Sequence, residues 1–146
     1  MRVVVDSNIA ISAILKSNSR ISKIIIKSGS RVNFYSTEQI LNEIDKHKLR
    51  LLSMTEYTLP ELNRAIELIC SRIRFINVKL ISNKIYNNAI NLVSNIDIDD
   101  IEFVALTDHV SGKLWSGDKV LRVGLGKKGW NKFTSTEELY TRVLKN

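Results

Sequence analysis

Arg2-Val3-Val4-Val5-Asp6-Ser7-Asn8 opens the chain with a run of β-branched residues cut off by an acid. Three successive valines leave no polar face, which reads as a strand buried on both sides, as in a parallel sheet. The strand ends at Asp6, and Ser7 is placed to cap a helix running to about Leu15. A second stretch has the same shape. Lys113 to Ser116 reads as a strand, and Gly117-Asp118 opens a short helix that Gly124 or Gly126 should end. In open parallel sheets, ligand sites form beyond the carboxyl ends of strands, where the strand order reverses. Asp6 and Asp118, far apart in sequence, can therefore meet.

Between these two stretches, short apolar runs alternate with amphipathic helical ones. Ser19 can cap a helix with Ile21, Ile24 and Ile25 on one face, ended by Gly29. Val32 to Tyr35 reads as a second strand. From about Thr37 follows a helix with Ile40, Leu41, Ile44 and Leu49 apolar. Thr58-Leu59-Pro60-Glu61 is a capping box with proline in the first turn, where its missing N–H costs little. Its helix should reach about Ile73. Phe75 to Val78 reads as a third strand, and Ser82 can cap a helix through Val93. Ile96 to Asp100 is an acidic loop leading into a helix through about Val110. Lys132-Phe133 reads as a fifth strand, and Thr134 or Thr136 as the cap of a last helix. Strands alternating with helices predict an α/β fold with a parallel sheet. No linker, repeat or low-complexity run interrupts residues 1–146, so one domain is expected.

A chain of this length buries roughly 68–70% of its unfolded surface. With 44% apolar and 25% charged residues it resembles an ordinary globular protein, which argues against long disorder. The formal charge is +7, from 22 basic and 15 acidic residues. Such an excess suits a polyanionic partner, nucleic acid or an anionic membrane surface, though it also serves solubility. Cys70 stands alone, so no internal disulfide is available; it reads as a buried core residue. No run reaches the ~18 apolar residues of a membrane span, and the N-terminus lacks the apolar stretch of a signal peptide. The expected location is the cytoplasm, with no membrane partner.

Glu43 falls at the edge of the apolar stripe formed by Ile40, Leu41 and Ile44, while Asp45 points elsewhere. A surface pair with Lys46 or His47 is its bland alternative. Asp97, Asp99 and Asp100 precede a helix, where acids also compensate the helix dipole. Gathered carboxylates repel one another and resist desolvation, so a cluster persists when a cation neutralises it. Oxygen ligands without a Cys/His set select magnesium or manganese before zinc. His47 and His109 lack zinc-motif spacing and read as surface or hydrogen-bonded helix residues.

Val3-Val4-Val5-Asp6-Ser7-Asn8 resembles the opening of PIN domains, a hydrophobic strand ending in Asp, a Ser or Thr, and usually Asn. Ile40-Leu41-Asn42-Glu43-Ile44 is similar to the segment carrying the family's second acid. Asp99-Asp100-Ile101-Glu102-Phe103-Val104-Ala105-Leu106 looks like the third segment, and Trp115-Ser116-Gly117-Asp118-Lys119-Val120-Leu121 like the fourth. The resemblance spans nearly the whole chain in order. It implies a three-layer α/β/α sandwich around a mostly parallel sheet, and divalent-metal hydrolysis of RNA. It makes Asp6, Glu43, Asp100 and Asp118 the catalytic and metal-binding acids, with Mg2+ or Mn2+ as cofactor. Ser7, Asn8, Asp99 and Ser116 support them. Asp97 is read as a loop acid outside the motif, so Asp97→Asn is expected to leave cleavage nearly unchanged. Many small relatives are toxins paired with an antitoxin. The expected partners are single-stranded or structured RNA, an antitoxin protein and a second copy of the chain.

An acidic pocket repels RNA, so basic residues must recruit it. The candidates are Lys46, Lys48 and Arg50 beyond Glu43, and Lys119, Arg122, Lys127 and Lys128 beyond Asp118. Trp115, Trp130 and Tyr35 could stack on bases, although each suits a core better. Two other α/β classes are disfavoured. A haloacid-dehalogenase-type phosphatase needs an acid two residues after the first, where Asn8 stands. A phosphorelay receiver needs an Asp after the third strand, where Val78-Lys79 offers none. The remaining rival is a catalytically silent PIN fold that binds RNA or a protein.

Overall fold

The computed structural model describes residues 1–145. Five strands form one sheet in the order β3-β2-β1-β4-β5, every neighbouring pair parallel. They are β1 (Arg2–Val5), β2 (Asn33–Thr37), β3 (Ile73–Ile76), β4 (Lys113–Trp115) and β5 (Phe133–Thr134). The central strand β1 has Val3, Val4 and Val5 fully buried, as a run of three valines requires.

Helices α1 (Ser7–Leu15) and α2 (Arg20–Lys27) connect β1 to β2, and α3 (Gln39–Lys46), α4 (Lys48–Ser53) and α5 (Leu59–Cys70) connect β2 to β3. From β3 the chain returns through α6 (Asn83–Val93) and α7 (Ile101–Val110) to β4. It continues through α8 (Lys119–Lys127) to β5 and ends in α9 (Thr136–Val143). Right-handed crossovers place the first two sets of helices on one face of the sheet and α6 to α8 on the other. Helix α7 packs across β1, β2 and β4, and α6 packs on α7; on the other side α1 packs against α2, α3 and α5, and α9 against α2. This is a three-layer α/β/α sandwich, with a sheet wholly rather than mostly parallel.

The strand order reverses between β1 and β4, because β1 leads outward to β2 and β4 leads outward to β5. The carboxyl ends of these two strands therefore open a crevice. Phe34 and Trp115 fill the core beneath it, their rings 6.0 Å apart. Trp115 is fully buried and donates its indole N–H to Thr136 Oγ1 at 3.0 Å; Trp130 is buried and donates to Asp108. Both tryptophans are thus core residues rather than stacking platforms.

Several boundaries differ from the sequence expectation. Helix α1 is capped by Asp6, not Ser7: the Asp6 carboxylate accepts the Ile9 N–H at 2.9 Å. Helix α5 stops at Cys70, and β3 starts at Ile73 because Ile73 registers against Phe34 of β2. No glycine or proline separates the two apolar runs there. The helix after β2 breaks at His47 into α3 and α4, so Lys48 and Arg50 leave the helix that carries Glu43. Helix α8 runs through Gly124 and Gly126, and the chain turns at Gly129 (φ +84°) instead. Ser135, not Thr134 or Thr136, caps α9. Cys70 is half-buried, since it lies in the last turn of α5.

Candidate metal centre

Asp6 and Asp118 occupy equivalent places. Each follows a strand at the crevice and caps the next helix, Asp6 through Ile9 N–H and Asp118 Oδ1 through Leu121 N–H at 3.1 Å. Each keeps a second oxygen free of that cap. Ser116 joins them from below: its hydroxyl accepts the Asp118 N–H at 3.1 Å and lies near enough to the Asp6 carboxylate to favour its charge.

Across the crevice, a single 3-10 turn (Ile98–Asp100) precedes α7. Asp97 caps it by accepting the Asp99 N–H at 3.0 Å. Asp100 stands at the N-terminus of α7 but makes no capping bond, which leaves its carboxylate to the cleft. Ligand oxygens of Asp97, Asp100 and Asp118 all lie within 4.8 Å of one another. Glu43 is held by Gln39, whose amide donates to Glu43 Oε1 at 3.0 Å and to the Asp99 carbonyl at 3.3 Å. One side chain thereby ties α3 to the acidic turn.

The cleft so formed measures about 200 Å3 and is lined by Asp6, Ser7, Asn8, Gln39, Glu43, Asp97, Asp99, Asp100, Phe103 and Asp118. It contains all four acids singled out in the sequence, together with Ser7, Asn8 and Asp99; Ser116 lies behind it. Three further contributors emerge only from the fold. Asp97 is one of the clustered acids rather than a bystander, because the 3-10 turn folds the loop back on itself. Gln39 precedes Glu43 by one helical turn, a spacing that signals such a pair. Glu102, in the first turn of α7, lies beside Thr37 at the end of β2 and close enough to Glu43 to feel its charge.

The electrostatics are those of an uncompensated cluster. Burial, opposed by the Ile9 hydrogen bond and the nearby Ser116 hydroxyl and reinforced by Asp118 and Glu43, raises the Asp6 pKa. Burial, then the charges of Asp97, Asp6, Asp118 and Asp99, pushes Asp100 up to about 7. Glu102 is raised by burial and by Glu43, against the effect of Thr37. Thr37 Oγ1 and Ser7 Oγ are buried without a well-formed hydrogen bond. Among the described residues the ion pairs are Arg20–Glu137 and Lys132–Asp108, so none neutralises the cleft. Oxygen donors alone, mutually repelling and lacking a cationic side chain, fit a hard divalent ion. Neither histidine lines the cleft.

The proposed basic residues divide. Lys46 follows Glu43 by three positions and is exposed, and Lys119 and Lys127 are exposed on α8. Arg122 donates to the Ser116 carbonyl at 3.2 Å and lies over the Phe133 ring. Lys128 donates to the Leu92 carbonyl and to Asn95 Oδ1, at 2.7 and 2.6 Å, and so clamps α8 to the end of α6.

A parallel α/β/α sandwich with carboxylates gathered at its switch point defines a class of acid-centred domains. Within that class the chain belongs to the PIN-domain family, whose sequence model, described as a PIN domain, matches residues 4–140. No curated protein matches the chain in sequence. PIN domains are generally nucleases that bind RNA and use divalent metals, although some are inactive. No helix among the described residues is long and apolar enough to cross a membrane.

Proposed function

We propose that residues 1–146 form a single endoribonuclease domain that hydrolyses phosphodiester bonds of single-stranded RNA with Mg2+ or Mn2+. The observation that carries this reading is the convergence of Asp97, Asp100 and Asp118 oxygens within 4.8 Å, beside buried Asp6, with no cationic side chain among them. Asp6, Asp100 and Asp118 hold the ion, Asp97 completes their set, and Glu43 is oriented by Gln39 to hold water on the cleft wall. When bound, a divalent ion lowers the pKa of a water and stabilises charge at the leaving oxygen. Ser116 fixes the relative position of Asp6 and Asp118. Asn8 offers a polar group to a phosphate or to water at the cleft mouth, and the buried Ser7 hydroxyl supports the acids from within. Lys46 and Lys119 lie on helices flanking the acids and draw the RNA backbone in. The same reading makes the chain a cytoplasmic toxin-like protein, held in check by an antitoxin and able to pair with a second copy.

The test is cleavage of a fluorescent single-stranded RNA by purified protein with Mg2+, Mn2+ or chelator, beside Asp118→Asn. Metal-dependent cleavage that the variant lacks supports the reading. Metal binding by calorimetry without cleavage of any of a broad RNA pool favours a silent RNA- or protein-binding module.

A further inference from the structure

Helix α8 carries more apolar surface than the core uses. Leu121 and Leu125 are fully buried, yet Val120 is 72% and Val123 57% exposed, one turn apart on the outer face. With Ile96 they floor a groove of about 530 Å3, with Asn95, Lys119 and Lys127 at its rim. Gly124 shapes that floor. A Cβ there would meet Ile96 Cδ1 at 2.7 Å, so the glycine lets Ile96 seat against the helix without a change of its side-chain position.

The groove and the acid cleft share their borders. Ile96 adjoins Asp97, and Lys119 adjoins Asp118, so two chain segments line both. The charge changes sign between them: no acid lines the groove, and neither lysine takes part in an ion pair among the described residues. We propose that this groove is a nucleotide subsite, taking the base of a nucleotide next to the scissile phosphate while Lys119 and Lys127 hold the flanking phosphates. The proposal rests on the ribonuclease reading above and adds where the strand runs. A base offers apolar faces to Val120, Val123 and Ile96, and a polar edge to Asn95. Only an unstacked base can enter, so the subsite selects single strands over duplex. A purely apolar protein segment would leave the two lysines unmatched.

The experiment compares binding of two fluorescent oligonucleotides of equal length by the full chain in calcium, with intact RNA checked on a gel. One carries bases throughout and the other has abasic positions. The parent should bind the first roughly five- to tenfold more tightly. Val120→Ser with Val123→Ser should abolish that preference while keeping the salt dependence. Lys119→Ala with Lys127→Ala should keep the preference and reduce the salt slope by about 0.7 for each phosphate left without its lysine. Val120→Ser/Val123→Ser protein that retains the base preference overturns the subsite. So does a parent that binds both strands equally, or valine variants whose only change is loss of self-association, which would make the face a protein interface. Failure of the ribonuclease reading looks different: base-dependent binding persists while no metal supports cleavage.

Discussion

Asp6 and Asp118 cap two helices that begin at the carboxyl ends of adjacent parallel strands, and the Ser116 hydroxyl, which accepts the Asp118 N–H, lies near the Asp6 carboxylate. Capping fixes one oxygen of each acid and leaves the other to the cleft. Replacement by asparagine keeps the cap acceptor and removes the charge. Asp6→Asn should lower cleavage at least about a hundredfold and weaken metal binding. Its metal-free Tm should hold or rise, because a buried, repelled carboxylate is gone. Asp6→Ala also loses the cap and should lose about 0.5–2 kcal/mol of stability by denaturant titration. Asp6→Asn protein that cleaves like the parent would move the site elsewhere.

Asp97 reverses an expectation. Read as a loop acid it should be dispensable; a carboxylate within 4.8 Å of Asp100 and Asp118 gives it a place in the cluster instead. Asp97→Asn keeps the cap of the 3-10 turn and should weaken Mn2+ affinity roughly tenfold in a calorimetric titration. An unchanged affinity would return Asp97 to a purely local role.

The raised carboxyls make stability depend on pH. Asp100, pushed up to about 7, and Asp6, also raised, keep protons in the folded state that the unfolded chain has released. Between about pH 4 and 7 the folded state binds more protons, so metal-free stability falls as pH rises through this window. A bound divalent ion favours the charged form and removes the fall. Thermal melts at pH 5 and pH 8, with chelator and with Mg2+, check this. A metal-free Tm that climbs from pH 5 to pH 8 contradicts it.

Glu102 adds a negative charge beside Glu43 without standing among the clustered acids. Glu102→Gln should raise the metal-free Tm by roughly 1–3 °C. It should reduce cleavage far less than Glu43→Gln does. Equal losses in the two variants would make Glu102 an equal partner in the site.

Lys128 belongs by sequence to the basic run beyond Asp118, but it hydrogen-bonds Leu92 and Asn95 across the α6–α8 junction. Lys128→Ala should cost about 1 kcal/mol in urea titration. Lys127→Ala, on the exposed side of the same helix, should leave stability within about 0.5 kcal/mol. Identical urea midpoints for the two variants would show that the Lys128 clamp contributes nothing.

Asp6 and Asp118 are legible in the sequence because each ends an apolar run whose burial in a parallel sheet dictates its neighbours. Glu43 is legible as an acid on the edge of an apolar helical stripe. The family resemblance orders these segments and singles out Asp100 over Asp99. Asp97 and Glu102 are not legible, since their approach depends on a 3-10 turn and on the seating of α7 over β2. The α5–β3 boundary is hidden for another reason: Ile69 and Ile73 are apolar on either side of it, and only cross-strand register against Phe34 separates helix from strand. The glycines of α8 mislead because Gly124 answers to the Ile96 side chain rather than to the helix end.

The reversal of strand order between β1 and β4 has a consequence for synthesis. Val3 pairs with Lys113, and Val5 with Trp115, so the central strand waits for nearly the whole chain before one of its edges is filled. Asp118 arrives only after that pairing segment. A nascent chain still emerging from the ribosome, with Asp6, Glu43 and Asp100 already made, has neither the fourth acid nor the strand that aligns it. The cluster is assembled by one late, long-range closure. Translation thus makes three of the four acids early and supplies last both the fourth and the strand that sets it beside Asp6.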